Sequence, residues 1–363
     1  MIISCALCLR VVVELIPASN PNINYMNKYL VALAVLGFSG ASATLNAAEP
    51  TLQEFRQQVE DLRKQERELT KQRDAVHKER KDAEYKLVLW ENEGTLSEAI
   101  ASLKVRTPKK PRTVLIYSRT KGYRHQSIPY GIHTLTELGK RTGAFNVVAT
   151  EDPAVFTSEH FMDYDGIIML NTTGNDTIPN GKAREAFEKF LEQDKGLIGI
   201  HAATDCHANW SNYLEAMGGI FDGHPWGAGS VVTLYNEEPE HPICNHIHTG
   251  DQIKDEIYQY KDDEHFTRDK LRILLSLDLS GPNMKKGNMK RKDNDYAVSW
   301  IREYAGSRVF YSNLGHNNET FHNKMALQHF LNGIQFALGD LEADARPSAE
   351  VGNGSAQPLP AGF

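Results

Sequence analysis

The chain has 363 residues, enough for one large α/β domain with appendages. Hydrophobic residues make up 40% and charged residues 24%, which excludes an intrinsically disordered protein. The net charge of -7 argues against a nucleic-acid partner, which wants a basic face, and no nucleic acid is expected.

Lys28, the apolar run Tyr29 to Phe38 and the small residues through Ala48 read as a secretory signal. The run is too short for a comfortable transmembrane helix, so no stable membrane span is expected after cleavage near Ala43 or Ala48. Met26 is the natural start, and residues 1–48 are read as leader and signal peptide. The expected destination is periplasmic or secreted.

Residues 49–93 form a charged, coiled-coil-like helix. One seam position is apolar throughout (Phe55, Leu62, Leu69, Val76, Ala83, Trp90). The other begins and ends apolar but turns polar at Glu66, Arg73 and Arg80. Two readings are open: a homo-oligomer formed through residues 51–92, or a solvated helix lying on its own domain. Gly94 is expected to end the helix, and residues 94–111, basic with Pro108 and Pro111, read as a linker.

From Arg112 strands alternate with helices, the pattern of βαβ units and a parallel sheet. Expected strands are Thr113 to Tyr117, Asn146 to Thr150, a third ending at Leu170, and Gly196 to Ile200. Helices are expected over Ile128 to Thr142 and Lys182 to Gln193. Further strands are expected at Ser230 to Tyr235, Glu256 to Tyr260, Arg272 to Leu277, Tyr296 to Arg302 and Arg308 to Ser312, with a closing helix Lys324 to Leu338. The domain covers 112–339, and the Ala-, Gly- and Pro-rich tail 340–363 is expected to be disordered.

Candidate chemistry gathers past the C-terminal ends of the strands, where open α/β sheets bind ligands. After the first strand come Lys121, Tyr123, Arg124 and His125, with Ser127 as an expected N-cap. After the third come Asn171, Thr172 and Thr173. These residues, with Tyr258, are the expected substrate-binding set for a sugar. After the fourth strand come His201 and Asp205, which join Glu256 and His316 as expected catalytic residues. His201, His224, Glu256 and His316 together have the composition of a divalent-metal site, zinc being one candidate. The alternative is a set of hydrogen-bonding histidines around a sugar pocket, one or two acting as general acid or base. Cys206 and Cys244 could pair in an oxidising compartment.

At these residues the chain resembles the ThuA-like (trehalose-utilisation) family. The matching segments are Lys121 to His125 with Ser127-Ile128-Pro129, Leu170 to Gly174, Gly199 to Asp205, Gly218-Gly219 with Phe221 to Pro225, and Leu314-Gly315-His316. The resemblance spans Arg112 to Leu338 and implies a flavodoxin-like, class I glutamine amidotransferase-like fold. That fold is a mostly parallel sheet with helices on both faces, here preceded by the long N-terminal helix. It also implies carbohydrate metabolism: handling of trehalose or related glycosides, through keto-sugars. Ile257 stands where the family usually has an aromatic. The related amidotransferases carry a nucleophilic Cys at the turn that here reads His201-Ala202, so glutamine hydrolysis is not expected. The competing reading is a non-catalytic sugar-binding or scaffold protein on a degenerate amidotransferase-like fold.

Overall fold

The computed structural model describes residues 51–361. The leader and signal expected over residues 1–48 lie outside the described residues. The chain divides after Asp74 into two units.

The division falls within helix α1 (Leu52–Ala101). In the first unit, Thr51 and Glu54 start the helix with a capping box. The Glu54 amide donates to Thr51 Oγ1 (3.3 Å), and the Thr51 amide donates to the Glu54 carboxylate (2.6 Å). In the second unit, Tyr85, Val88, Leu89 and the buried Leu96, Ala99 and Ile100 pack on the core. The Tyr85 hydroxyl donates to the Pro129 carbonyl at 3.1 Å. Gly94 does not end the helix, which runs on to Ala101. Burial of Leu96, Ala99 and Ile100 outweighs a glycine penalty of about 1 kcal/mol.

The expected linker is correspondingly shorter and is strapped down. The amides of Lys104 and Arg106 donate to Gln328 Oε1 and Gln335 Oε1, and the two side-chain amides donate back to the Lys104 and Arg106 carbonyls. The Lys109 amide and the Arg112 guanidinium both donate to the buried Asp340 carboxylate.

Among the described residues nine strands form one sheet: β1 (Thr113–Tyr117), β2 (Asn146–Thr150), β3 (Gly166–Leu170), β4 (Gly196–Ile200), β5 (Val231–Asn236), β6 (Gln252–Lys254), β7 (Arg272–Leu277), β8 (Ala297–Tyr304) and β9 (Ser307–Ser312). Their order is β2-β1-β3-β4-β9-β8-β7-β5-β6. Pairing is parallel from β2 through β4 to β9 and antiparallel from β9 outward to β6.

Alternate residues of the central strands feed two cores, as a period of two requires. Val114, Ile116, Ile168, Ile198 and Phe310 join one with helices α2 (Ile128–Thr142) and α5 (Lys324–Ala337). Leu115, Ile167, Leu197 and Val309 join the other with α3 (Lys182–Leu191) and α4 (Ser211–Met217). Helices therefore cover both faces of an α/β sheet whose central strands are parallel.

The expected strand Glu256 to Tyr260 is not a sheet strand. The Ile257 amide donates to the Trp226 carbonyl and the Gln259 amide to that of Gly223, while the Asp222 amide donates to the Gln259 carbonyl. The segment thus pairs with the Phe221 to Trp226 turn and sets Glu256 beside His224. Ile257 is fully buried there.

The first part of the expected tail is anchored to the domain through Asn353. Ser348 is buried, its hydroxyl accepting from the Ile273 amide at 2.8 Å, and Asn353 donates to the Glu237 carbonyl and the Glu238 carboxylate. Composition misled because a few polar anchors, not apolar residues, hold this segment.

Cys206 and Cys244 are free and buried, so the disulfide does not form. Burial pushes the Cys206 thiol up to about 12 and the Cys244 thiol higher still. In protein freed of residues 1–48, a thiol-reactive disulfide reagent is expected to label neither cysteine until denaturant is added, and both afterwards. Native-state labelling would show these interiors open on the labelling timescale. Among the described residues no helix is long and apolar enough to cross a membrane.

Candidate functional site

The turns after β1, β4 and β9 and the Asp255 to Tyr258 segment converge on one point. His125, His201, Glu256 and His316 each offer a ligand atom there, all within 4.8 Å of one another. His316 Nδ1 lies 3.1 Å from Glu256 Oε1 and 3.3 Å from His201 Nε2, and His201 Nε2 lies 3.7 Å from Glu256 Oε1. Ligands about 2.0–2.1 Å from a tetrahedral zinc stand roughly 3.3 Å apart, so these separations suit one first-row divalent ion.

His201 is held in place from several sides. It directly follows β4 with φ of 50°, a left-handed conformation that a residue with a side chain rarely adopts. Its Nδ1–H donates to the Asn313 carbonyl at 2.7 Å, which leaves the Nε2 lone pair facing the cluster. Its own carbonyl accepts from the Tyr311 hydroxyl at 2.6 Å. Burial, then the neighbouring imidazoles of His125 and His316, push its pKa well below the usual value. Burial likewise lowers His125 to about 4. Both rings are therefore neutral near pH 7, the form that binds metals. Among the described residues His125 Nδ1 is buried with no hydrogen-bond partner, and its Nε2 lies 3.5 Å from the Tyr258 hydroxyl. An orphaned imidazole nitrogen among two further imidazoles and a carboxylate fits a metal better than a hydrogen-bond network.

Glu256 and His316 are carried by one buried anchor. Asp255 Oδ1 accepts from the amides of Glu256 (3.0 Å) and Asn317 (2.9 Å). Its Oδ2 accepts from the Gly315 amide (2.7 Å) and the Thr320 hydroxyl (2.8 Å). Gly315, at φ of 128°, lets the chain turn tightly against Ile200, where a Cβ would meet Ile200 Cγ2 at 2.9 Å. Burial pushes the Asp255 carboxyl up to about 6 despite its four donors.

The other expected site residues fall around this centre. His224 is not in the tight group. Its half-exposed ring places Nδ1 3.5 Å from Glu256 Oε2, the oxygen turned away from His316, and His125 stands in the ligand set in its stead. Tyr258 is buried with its ring centroid 4.4 Å from that of His201 and 4.4 Å from that of Phe221. Tyr123 is 61% exposed and meets the His125 ring edge-on at 4.9 Å.

Lys121 is exposed, whereas Arg124 is engaged by Glu151 at 2.7 and 3.0 Å. Asn171, Thr172 and Thr173 are fully buried. Asn171 Nδ2 donates to Ser127 Oγ and the Gly315 carbonyl, and Thr173 donates to the Tyr123 carbonyl, so both brace the loops. Ser127 likewise donates to the Gly315 carbonyl and makes no side-chain cap on α2. Asp205 lies outside the four. Among the described residues no hydrogen bond holds its carboxylate, and burial raises it to about 6. Asn313, Tyr311 and Asp255 were not singled out as supports in the sequence, although Asn313 and Tyr311 lie at the end of β9 immediately before Gly315-His316.

A family model described as trehalose utilisation, ThuA, matches residues 113–337. The chain belongs to the ThuA family. Its ThuA domain is similar in structure to a ThuA-like protein from Bacteroides uniformis. That pair is 23% identical with a TM-score of 0.53, covering 65% of this chain and 95% of the other. A ThuA-like protein from Parabacteroides merdae is 17% identical, covering 70% and 95%, with a TM-score of 0.49. No curated protein matches the chain. The first likeness agrees with the α/β, flavodoxin-like fold described above. In the ThuA domain the turn after β4 holds His201. Cys206, with its buried, high-pKa thiol donating to the Gly174 carbonyl at 3.2 Å, is poorly suited to act as a nucleophile.

Proposed function

We propose that this protein is an exported enzyme that acts on a sugar, trehalose or a related glycoside in keto form, with His125, His201, His316 and Glu256 holding a divalent metal. The observation that carries this reading is the convergence of three imidazoles and a carboxylate, with an orphaned His125 nitrogen, at the strand-end edge of a ThuA fold. A first-row ion such as zinc supplies a Lewis acid for a carbonyl or hydroxyl oxygen.

The chain's own groups do the rest. His201, fixed by Asn313, keeps its neutral lone pair aimed into the site. Glu256 sets its second oxygen 3.5 Å from the half-exposed His224, which puts a second imidazole at the solvent side of the carboxylate. Exposed Tyr123 and part-exposed Phe221 offer aromatic faces of the kind sugar rings stack on. The signal expected at the N-terminus supports a periplasmic or secreted location.

Purified protein is expected to carry a stoichiometric divalent ion and to turn over a member of a panel of glycosides and 3-keto-glycosides. Chelation should abolish turnover and metal return should restore it. Absence of both metal and turnover would sink the reading. Calorimetric binding of a sugar without product would assign a sugar-binding module instead.

A further inference from the structure

The seam of α1 is uncovered. From Val59 to Trp90 its large apolar residues are 45% to 79% exposed, while Tyr85, Val88 and Leu89 take the packing face in the second unit. We propose that this seam pairs with a second copy of the chain in an antiparallel coiled coil.

Three features of the heptad select that occupant and that direction. The first is the polar seam position. In a parallel pair, a residue at this position faces its own copy, so Glu66, Arg73 and Arg80 would each oppose a like charge. In an antiparallel pair the two seam positions face each other. With Leu52 opposite the partner copy's Trp90, Glu66 then faces Val76, Arg73 faces Leu69 and Arg80 faces Leu62. Their long stems cover the apolar partner while the charges reach water.

The second is the flanking position one residue after the apolar seam. It reads Arg56, Arg63, Thr70, His77, Glu84, Glu91: basic in its first half and acidic in its second. Antiparallel pairing lays the basic half of one helix along the acidic half of the other, and parallel pairing does not. Among the described residues Arg56 and Glu91 make no ion pair, so both are available for this contact.

The third is the other flank, Gln58, Gln65, Gln72, Glu79 and Lys86. Antiparallel it sets Lys86 against Gln58 and Glu79 against Gln65, with no like charges opposed. In a parallel pair Glu79 would meet Glu84.

The test uses the full chain with Cys5 and Cys8 replaced by serine, which leaves the buried Cys206 and Cys244. Light scattering is expected to give the mass of two chains. Leu69→Glu with Val76→Glu should halve it without shifting the thermal unfolding of the ThuA domain, because both side chains are exposed. Direction is read by disulfide trapping. Phe55→Cys mixed with Leu87→Cys should give a cross-linked heterodimer, and Phe55→Cys alone should give little. A single-chain mass, a trimeric mass, or efficient cross-linking of Phe55→Cys to itself would overturn the proposal.

Discussion

His201→Asn is expected to strip the site of its metal while leaving the domain folded. Asparagine tolerates the left-handed backbone that His201 adopts, so the variant does not add strain at φ of 50°. It removes the imidazole that lies 3.3 Å from His316 Nδ1 and 3.7 Å from Glu256 Oε1. Loss of outer partners of a metal ligand weakens affinity by roughly 10–100-fold, so loss of the ligand itself should weaken it by about 100-fold or more. Metal titration against a chromogenic chelator, alongside a thermal melt, measures both effects. A variant that binds metal as tightly as the parent protein would remove His201 from the ligand set. His224→Ala is the useful contrast: of the four clustered residues its half-exposed ring approaches only Glu256, at the far oxygen, so metal affinity should change little.

The second large effect is expected at Asp255. Its two oxygens accept from four donors, three of them backbone amides, in a fully buried position. Asp255→Asn turns one oxygen into an NH2 group facing donors, and at least one buried amide loses its acceptor. That should cost about 2–4 kcal/mol of stability. It should also weaken metal binding by roughly 10–100-fold, because the same bonds fix the backbone of Glu256 and of Gly315 to Asn317. Denaturant unfolding gives the first number and metal titration the second. An unchanged midpoint would show that the Gly315 to Asn317 turn holds without this anchor.

The parallel half of the sheet was legible because β1, β3 and β4 are apolar runs buried on both faces, and β1, β2 and β4 fall on their expected residues. The three-residue β6 and the short helix α4 carried too little pattern to be seen. Glu256 to Tyr260 has the alternation of a strand but pairs with a turn, and alternation alone does not say what the partner is. At the site, His201, Glu256 and His316 could be found from their positions at strand ends and openings. The exchange of His224 for His125 could not, because which loop reaches inward is decided by contacts between segments 133 residues apart. Here His125 is the one buried residue of the otherwise exposed 121–126 turn, its Nε2 lying 3.5 Å from the Tyr258 hydroxyl. The tail and Gly94 failed for a common reason: local composition was outweighed by a few long-range contacts.

The strap formed by residues 104–109 has a further consequence. The stretch recognised as ThuA, 113–337, is shorter than the body that these contacts tie together. Cut to those limits, the chain would leave the side-chain amides of Gln328 and Gln335 with no carbonyls to meet, and would lose Asp340 and Ser348 altogether. A protease trimming this protein would accordingly find resistant ends well outside the recognised stretch, before Tyr85 on one side and beyond Asn353 on the other. The body held together by these bonds is larger than the recognised stretch, and its margins are sewn on by glutamines and an aspartate.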